Sequence, residues 1–192
     1  SKDNVYVSDH WNGRITKLDS NGNFILKWVN GVDRYGKGFG DRSAYGIAVD
    51  TKDNVYVGGN ASRRGSGGKG RERHVVQKYD SAGNYIRSWG TAAERIPHWP
   101  YTTKDGEFVG GSPGPPYVAT DCKDNVYVVD RWNSRIQKFT SDGKFLLKWG
   151  TRGSGEGEFG GYNSSTAGRS PIGIAIDGAD NVYVTDQVSE HR

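Results

Sequence analysis

An all-β protein assembled from repeated four-stranded sheets is the fold this sequence predicts, and three observations carry the prediction. The hexapeptide KDNVYV stands at Lys2–Val7, Lys52–Val57 and Lys123–Val128, with a near-copy, ADNVYV, at Ala179–Val184. Each copy but the last is followed by further β-rich runs punctuated by turn-forming dipeptides. The chain of 192 residues is only 33% hydrophobic and contains 29 glycines, well above the ordinary glycine share. That is a composition of short strands joined by polar, glycine-rich connections.

Four runs make up a unit and are labelled a to d in chain order. Run a is Gly-Ile-Ala-Val-Asp at 46–50, with counterparts at 117–121 and 172–177. Run b is Asn-Val-Tyr-Val, apolar on both faces, as expected of a strand covered on each side. Run c is exemplified by RIQKF at 135–139, and run d by FLLKW at 145–149. The asparagines that open run b, Asn4, Asn54, Asn125 and Asn181, are spaced by 50, 71 and 56 residues. Trp28 and Trp149 close run d 24 residues after their asparagines, whereas Trp89 comes 35 after, so the second unit carries an 11-residue insertion. Between c and d stand Asn-Gly, Ala-Gly and Asp-Gly steps, which suit tight hairpins because glycine tolerates φ > 0. Four antiparallel strands per unit of about 40–50 residues predict the blade of a β-propeller. The blades span 1–30 (lacking strand a), 46–90, 117–150 and 172–192 (half a blade). With no methionine in the chain and a blade cut at either end, a piece of a longer ring is expected, and closure by oligomerisation is the rival expectation.

The ordered recurrence of GIAVD, NVYVxD, NxRIQKF and GxFLxxWG resembles the NHL-repeat family. Phe39, Phe108 and Phe159, each in a glycine context ahead of strand a, are a further shared marker. The resemblance covers nearly the whole chain and implies a propeller, usually of six blades.

Variation is confined to one end of the units. The a–b and c–d turns are short and alike, while the long segments 29–45, 59–74, 90–116 and 150–171 are all b–c or d–a connections. In a zigzagging sheet these share one face, where rigid scaffolds carry binding functions. The net charge of +4 is matched by segment 59–74 alone, where Arg63, Arg64, Lys69, Arg71 and Arg73 face only Glu72. Such a cluster suits an acidic protein patch, an anionic glycan or a nucleic-acid backbone. The neighbouring segment 90–116 offers His98, Trp99, Tyr101 and Phe108 as stacking platforms. Phe108 apart, these are the expected partner-binding residues, with a protein partner or self-assembly the first expectation.

Other residues read as structural. Asp9 with Arg14, Asp130 with Arg135 and Asp186 with Arg192 recur at the b–c corner, and blade two loses both members together, having Gly59 and Val75 instead. Joint loss points to ion pairs bracing the corner. Asp50, Asp121 and Asp177 close strand a and are read as turn-shaping. No catalytic residue, metal ligand or cofactor is expected. His10, His74, His98 and His191 lack ligand spacing, and Cys122 lies in an a–b turn without a partnered base. The resemblance sharpens this reading. One enzyme group of the family, the peptidyl-hydroxyglycine amidating lyases, holds zinc with histidines at the tops of inner strands, and Tyr45, Tyr117 and Ile172 stand near those places.

The sequence therefore predicts a non-enzymatic interaction or scaffold module. An RNA-binding propeller with a basic face is one alternative, and a lyase or hydrolase with its catalytic residues elsewhere is another. Resemblance to bacterial and archaeal members implies an extracellular, cell-surface or periplasmic setting. The sequons at Asn60 and Asn163 fit a glycan-bearing surface. No apolar run reaches the length of a membrane span.

Overall fold

The computed structural model describes residues 3–29, 44–62, 72–92, 104–108, 116–160 and 171–186. Blade one contributes β1 (Val5–Asp9), β2 (Arg14–Leu18) and β3 (Phe24–Val29), paired in that order. Blade two is the four-stranded sheet β4 (Ala44–Val49), β5 (Val55–Ser62), β6 (Glu72–Tyr79) and β7 (Tyr85–Trp89). It is followed by a short parallel ribbon, β8 (Thr91–Ala92) with β9 (Glu107–Phe108). Blade three is β10 (Val118–Thr120), β11 (Val126–Asp130), β12 (Arg135–Phe139) and β13 (Phe145–Trp149). A second parallel ribbon follows, β14 (Thr151–Gly153) with β15 (Glu158–Gly160). The last pair is β16 (Gly173–Ile176) with β17 (Val182–Thr185). Within each blade the neighbouring strands are antiparallel, and β4 lies between β1 and β10 as β10 lies between β4 and β16.

The core is built between blades. On β5, Val55 and Val57 pack with Ile15 of blade one, while Tyr56 points the other way and packs with Val126, Val128 and Phe139 of blade three. On β11 the same alternation sends Tyr127 and Val129 toward Ile174, Ile176, Val182 and Val184 of the last pair. This is why the run Val-Tyr-Val is apolar on both faces: a strand sandwiched between sheets buries alternate side chains in two different layers. The tryptophans occupy equivalent places. Trp28, Trp89 and Trp149 pair with Ile15, Val76 and Ile136 in register, and each meets the tyrosine of its own strand b edge-on, at 6.4, 6.1 and 5.9 Å between centroids. Each of the first two also covers the c–d turn of the following blade. A Cβ placed at Gly143 would sit 2.6 Å from the Trp89 ring, and Gly83 stands likewise against Trp28. Glycine there serves both the positive φ of the turn and the close approach of the indole.

One device builds both kinds of short turn. Asp50 Oδ1 accepts the N–H groups of Lys52 and Asn54, while Oδ2 accepts Asn54 Nδ2 and the Tyr56 hydroxyl. Asp121 and Asp177 repeat the pattern, and Asp19 and Asp80 apply its turn half between c and d. Thr140 replaces the aspartate in blade three, and its hydroxyl accepts the same two N–H groups at the longer distances of 3.3 and 3.2 Å. Each is a tight turn closed by a residue at positive φ: glycine between c and d, but aspartate between a and b, at Asp3, Asp53, Asp124 and Asp180. Asp124 accepts the N–H and Oγ1 of Thr51 and pairs with Lys52 Nζ of the preceding blade, and Asp180 holds the N–H of Cys122 and Nζ of Lys123. From strand c, Lys17 and Lys78 donate to the carbonyls of Ser81 and Ser141 in the next blade. The short-turn end is thus a chain of blade-to-blade latches.

Burial works to raise the Asp121 carboxyl, but bonds from Asn125 and Lys138 outweigh it and hold its pKa at about 2. A depressed carboxylate adds stability that is present above its unfolded value and is lost as pH falls through the folded one. Acid titration of the unfolding free energy is expected to show a loss between pH 3.8 and about 2, of which Asp121 accounts for about 2 kcal/mol. Asp121→Asn is expected to be less stable at pH 7 and to lose less between pH 4 and 2; an unchanged acid limb would remove Asp121 from this role.

Candidate functional site

The sheet order places the b–c corners and the d–a connections together at the end opposite the latched turns. Two corners are alike. In blade one Asp9 pairs in register with Arg14 and the two bond at 2.8 Å, with Asn12 Nδ2 also donating to the carboxylate, across the 3-10 turn His10–Asn12. In blade three Arg135 Nε meets Asp130 Oδ2 at 2.8 Å, and Asn133 and Gln137 donate to the same oxygen, across the turn Arg131–Asn133. Burial separates them: the Asp9 pair is partly exposed, while Asp130 and Arg135 are 3% and 4% exposed. Burial pushes the Asp130 carboxyl up, against the pull of Arg135, Asn133 and Gln137. In the last pair Asp186 accepts the N–H of Gly160; its sequence partner, Arg192, lies outside the described residues.

The buried corner also grips the d–a connection. Arg135 Nη2 donates to the carbonyls of Lys104 and Glu107, Gln137 Nε2 donates to Glu107, and Gly106 N–H donates to Gln137 Oε1. Phe108 then enters the core with no exposed surface, edge-on to Phe139. This corrects the expectation that Phe108 is an open stacking platform. The physical reason is that β8 and β9 pair, folding the connection back so that its phenylalanine reaches the layer between blades two and three.

Blade two departs from its neighbours. Gly59 and Val75 occupy the register positions of the corner pair, and the ladder continues beyond them through Asn60 with His74, Ala61 with Arg73 and Ser62 with Glu72. Segment 59–74, read from sequence as a loop, is in part a lengthened β-hairpin, because paired backbone satisfies its own N–H and C=O groups. Of the expected binding residues, Arg73 and the sequon Asn60 sit in these strands; Arg63, Arg64, Lys69, Arg71, His98, Trp99, Tyr101 and the sequon Asn163 lie outside the described residues. At this end Trp11, 69% exposed, went unsingled in the sequence, and the ring of Tyr45 lies 4.0 Å from that of His10. The repeated His/Arg-Trp-Asn after strand b was the available signal. Of the positions tied to a zinc lyase, Tyr45 takes part in that ring contact and accepts Ser8 Oγ at its carbonyl.

Cys122 is exposed at the latched end, where the adjacent Asp180 raises its thiol pKa, the opposite of what a nucleophile needs. Among the described residues no group of three His, Cys, Asp or Glu side chains is placed to hold a metal, and no helix is long and apolar enough to cross a membrane.

Antiparallel four-stranded sheets stacked face to face, with tryptophan and aspartate repeated at fixed places, define a protein of the β-propeller class. Residues 118–139, from β10 to the end of β12, match the NHL repeat family model. Among solved structures it is similar to a streptogramin B lyase, at 13% identity and a TM-score of 0.47 over 100% of this chain. It is also similar to the selenomethionine form of virginiamycin B lyase from Staphylococcus aureus, at 11% identity and a TM-score of 0.40 over 97% of this chain. The chain spans 53% and 60% of the lengths of those two structures. No curated protein matches its sequence.

Proposed function

We propose that this protein is a non-enzymatic interaction module that binds a macromolecular partner, an acidic protein surface first, through its loop-rich end. The observation that supports this reading is the blade-two hairpin. It abandons the corner ion pair, extends its ladder to Ser62 and Glu72, and carries a cationic cluster at 63–73. A stem paired through Ser62 and Glu72 leaves less backbone to order when a partner binds the segment between them. The opposite end supports the reading by contrast, since its side chains are engaged in latches between blades. A setting outside the cell is part of the same proposal, resting on the resemblance to bacterial and archaeal NHL proteins, with the sequons at Asn60 and Asn163 as lesser support.

The test replaces Arg63, Arg64, Arg71 and Arg73 by serine and titrates wild type and variant with polyglutamate, heparin and single-stranded poly(U). Wild type is expected to bind polyglutamate in a salt-sensitive manner, and the variant to lose most of that binding with its fold intact. Preference for poly(U), with a log–log salt slope of about −0.7 per phosphate contact, would move the assignment to RNA. Equal binding by both proteins would overturn the role of the hairpin.

A further inference from the structure

The β5–β6 stem of blade two has a histidine at its foot. His74 is 3% exposed and lies opposite Asn60, one step beyond the Gly59–Val75 pair that stands where the other blades have a corner ion pair. It takes the place that Ser134 holds in blade three: a Cβ at Gly90 would lie 2.9 Å from the His74 carbonyl, and one at Gly150 would lie 3.0 Å from that of Ser134. Alternation along β6 places His74 on the same face as Val76, toward the gap between blades two and three that Phe108 fills. The charged groups of that gap come from the elements around it. Blade three supplies Asp130 and Arg135, bonded to each other at 2.8 Å, and the d–a connection supplies Lys104 and Glu107, 3.6 Å apart. On β6 itself Glu72 and Arg73 precede the histidine. Lys78, which donates to the Ser141 carbonyl, and Tyr56 of β5 lie toward the latched end. Strand β8, Thr91–Ala92, supplies none.

We infer that His74 is a pH-sensitive fastener of the blade-two stem, holding it to the blade while neutral and releasing it when protonated. Past the Gly59–Val75 pair the ladder consists of Asn60–His74, Ala61–Arg73 and Ser62–Glu72. A two-stranded ribbon of that size is marginal in water unless it packs against something, and the buried histidine is where this one packs. A neutral imidazole can stay in the gap, whereas an imidazolium needs water or a counter-ion. The carboxylates there already serve Arg135 and Lys104, so the added proton shifts the gap toward positive charge. Water reaches the ring when the stem lifts away, and acid therefore favours the open stem. The consequence for binding rests on the reading of the hairpin as the binding element; the opening itself does not.

Amide NMR signals of Gly58–Ser62 and Glu72–Val76 in the isotope-labelled 192-residue chain, followed from pH 7.5 to pH 5.5, read the stem with no partner present. They are expected to move from strand toward coil positions together with the His74 imidazole signal. In His74→Gln, and in His74→Ser, which copies blade three, they are expected to stay in place. At constant ionic strength the wild type is expected to bind polyglutamate about tenfold more weakly at the lower pH, and the two variants about equally at both. A wild-type stem that keeps its strand shifts down to pH 5.5 overturns the proposal whether or not His74 titrates, and this result needs no variant. The same movement in a folded variant overturns it too, by placing the titrating group elsewhere. A wild-type stem that opens in acid but binds no polyglutamate at either pH supports the fastener and overturns only the binding role of the hairpin.

Discussion

Asp130→Ala is expected to destabilise the protein by about 3–5 kcal/mol, because it leaves the Arg135 guanidinium buried without its counter-charge. Arg135 is 4% exposed, so water cannot replace the lost carboxylate without opening the corner. Blade two shows that the fold tolerates the absence of both partners, with Gly59 and Val75 at the same register positions. The double substitution Asp130→Gly with Arg135→Val is therefore expected to be less damaging than Asp130→Ala, even though it also releases the carbonyls of Lys104 and Glu107. Urea unfolding of the two variants and of Arg135→Ala measures this coupling. Losses that simply add would mean the two side chains act separately, and the bracing role would fail. The Asp9–Arg14 pair, being partly exposed, is expected to show a much smaller loss when broken.

The second large effect is expected at Phe108. Its ring is fully buried against Val76, Val118 and Phe139, and it covers Gly90, where an added Cβ would lie 2.5 Å from the ring. Truncation to alanine is expected to cost about 3–5 kcal/mol, combining lost burial with the cavity left behind. Phe159 covers Gly150 in the same way, so the aromatic ahead of strand a acts as a nail through the d–a connection. Loss of the nail is also expected to raise proteolysis within 93–115, because local opening of the connection no longer has to expel a ring from the core. A loss below about 1 kcal/mol, with unchanged proteolysis, would mean that Phe108 is dispensable and the connection is held by Arg135 and Gln137 alone.

The sequence by itself determined what is local or repeated. Strand runs b, c and d, the tight turns with their glycines, the equivalence of Trp28, Trp89 and Trp149, and the pairing of Asp130 with Arg135 all follow from spacing, since each depends on residues within one hairpin. The joint loss of that pair in blade two was legible too, because two positions changed together. Only the tertiary structure decided what depends on the neighbouring blade. Asp124 reads as a turn residue, yet its bonds go to Thr51 and Lys52, more than seventy positions away in the chain. Phe108 reads as a loop aromatic, yet it is core, because β8 and β9 pair and fold the connection inward. The lengthened β5–β6 hairpin was hidden because Gly58 and Gly59 read in sequence as the start of a loop, whereas in the sheet the ladder runs through them to Ser62 and Glu72. Periodicity records which residues a strand can bury; which sheet covers them, and which turn a free carboxylate can reach, depends on how the blades stack.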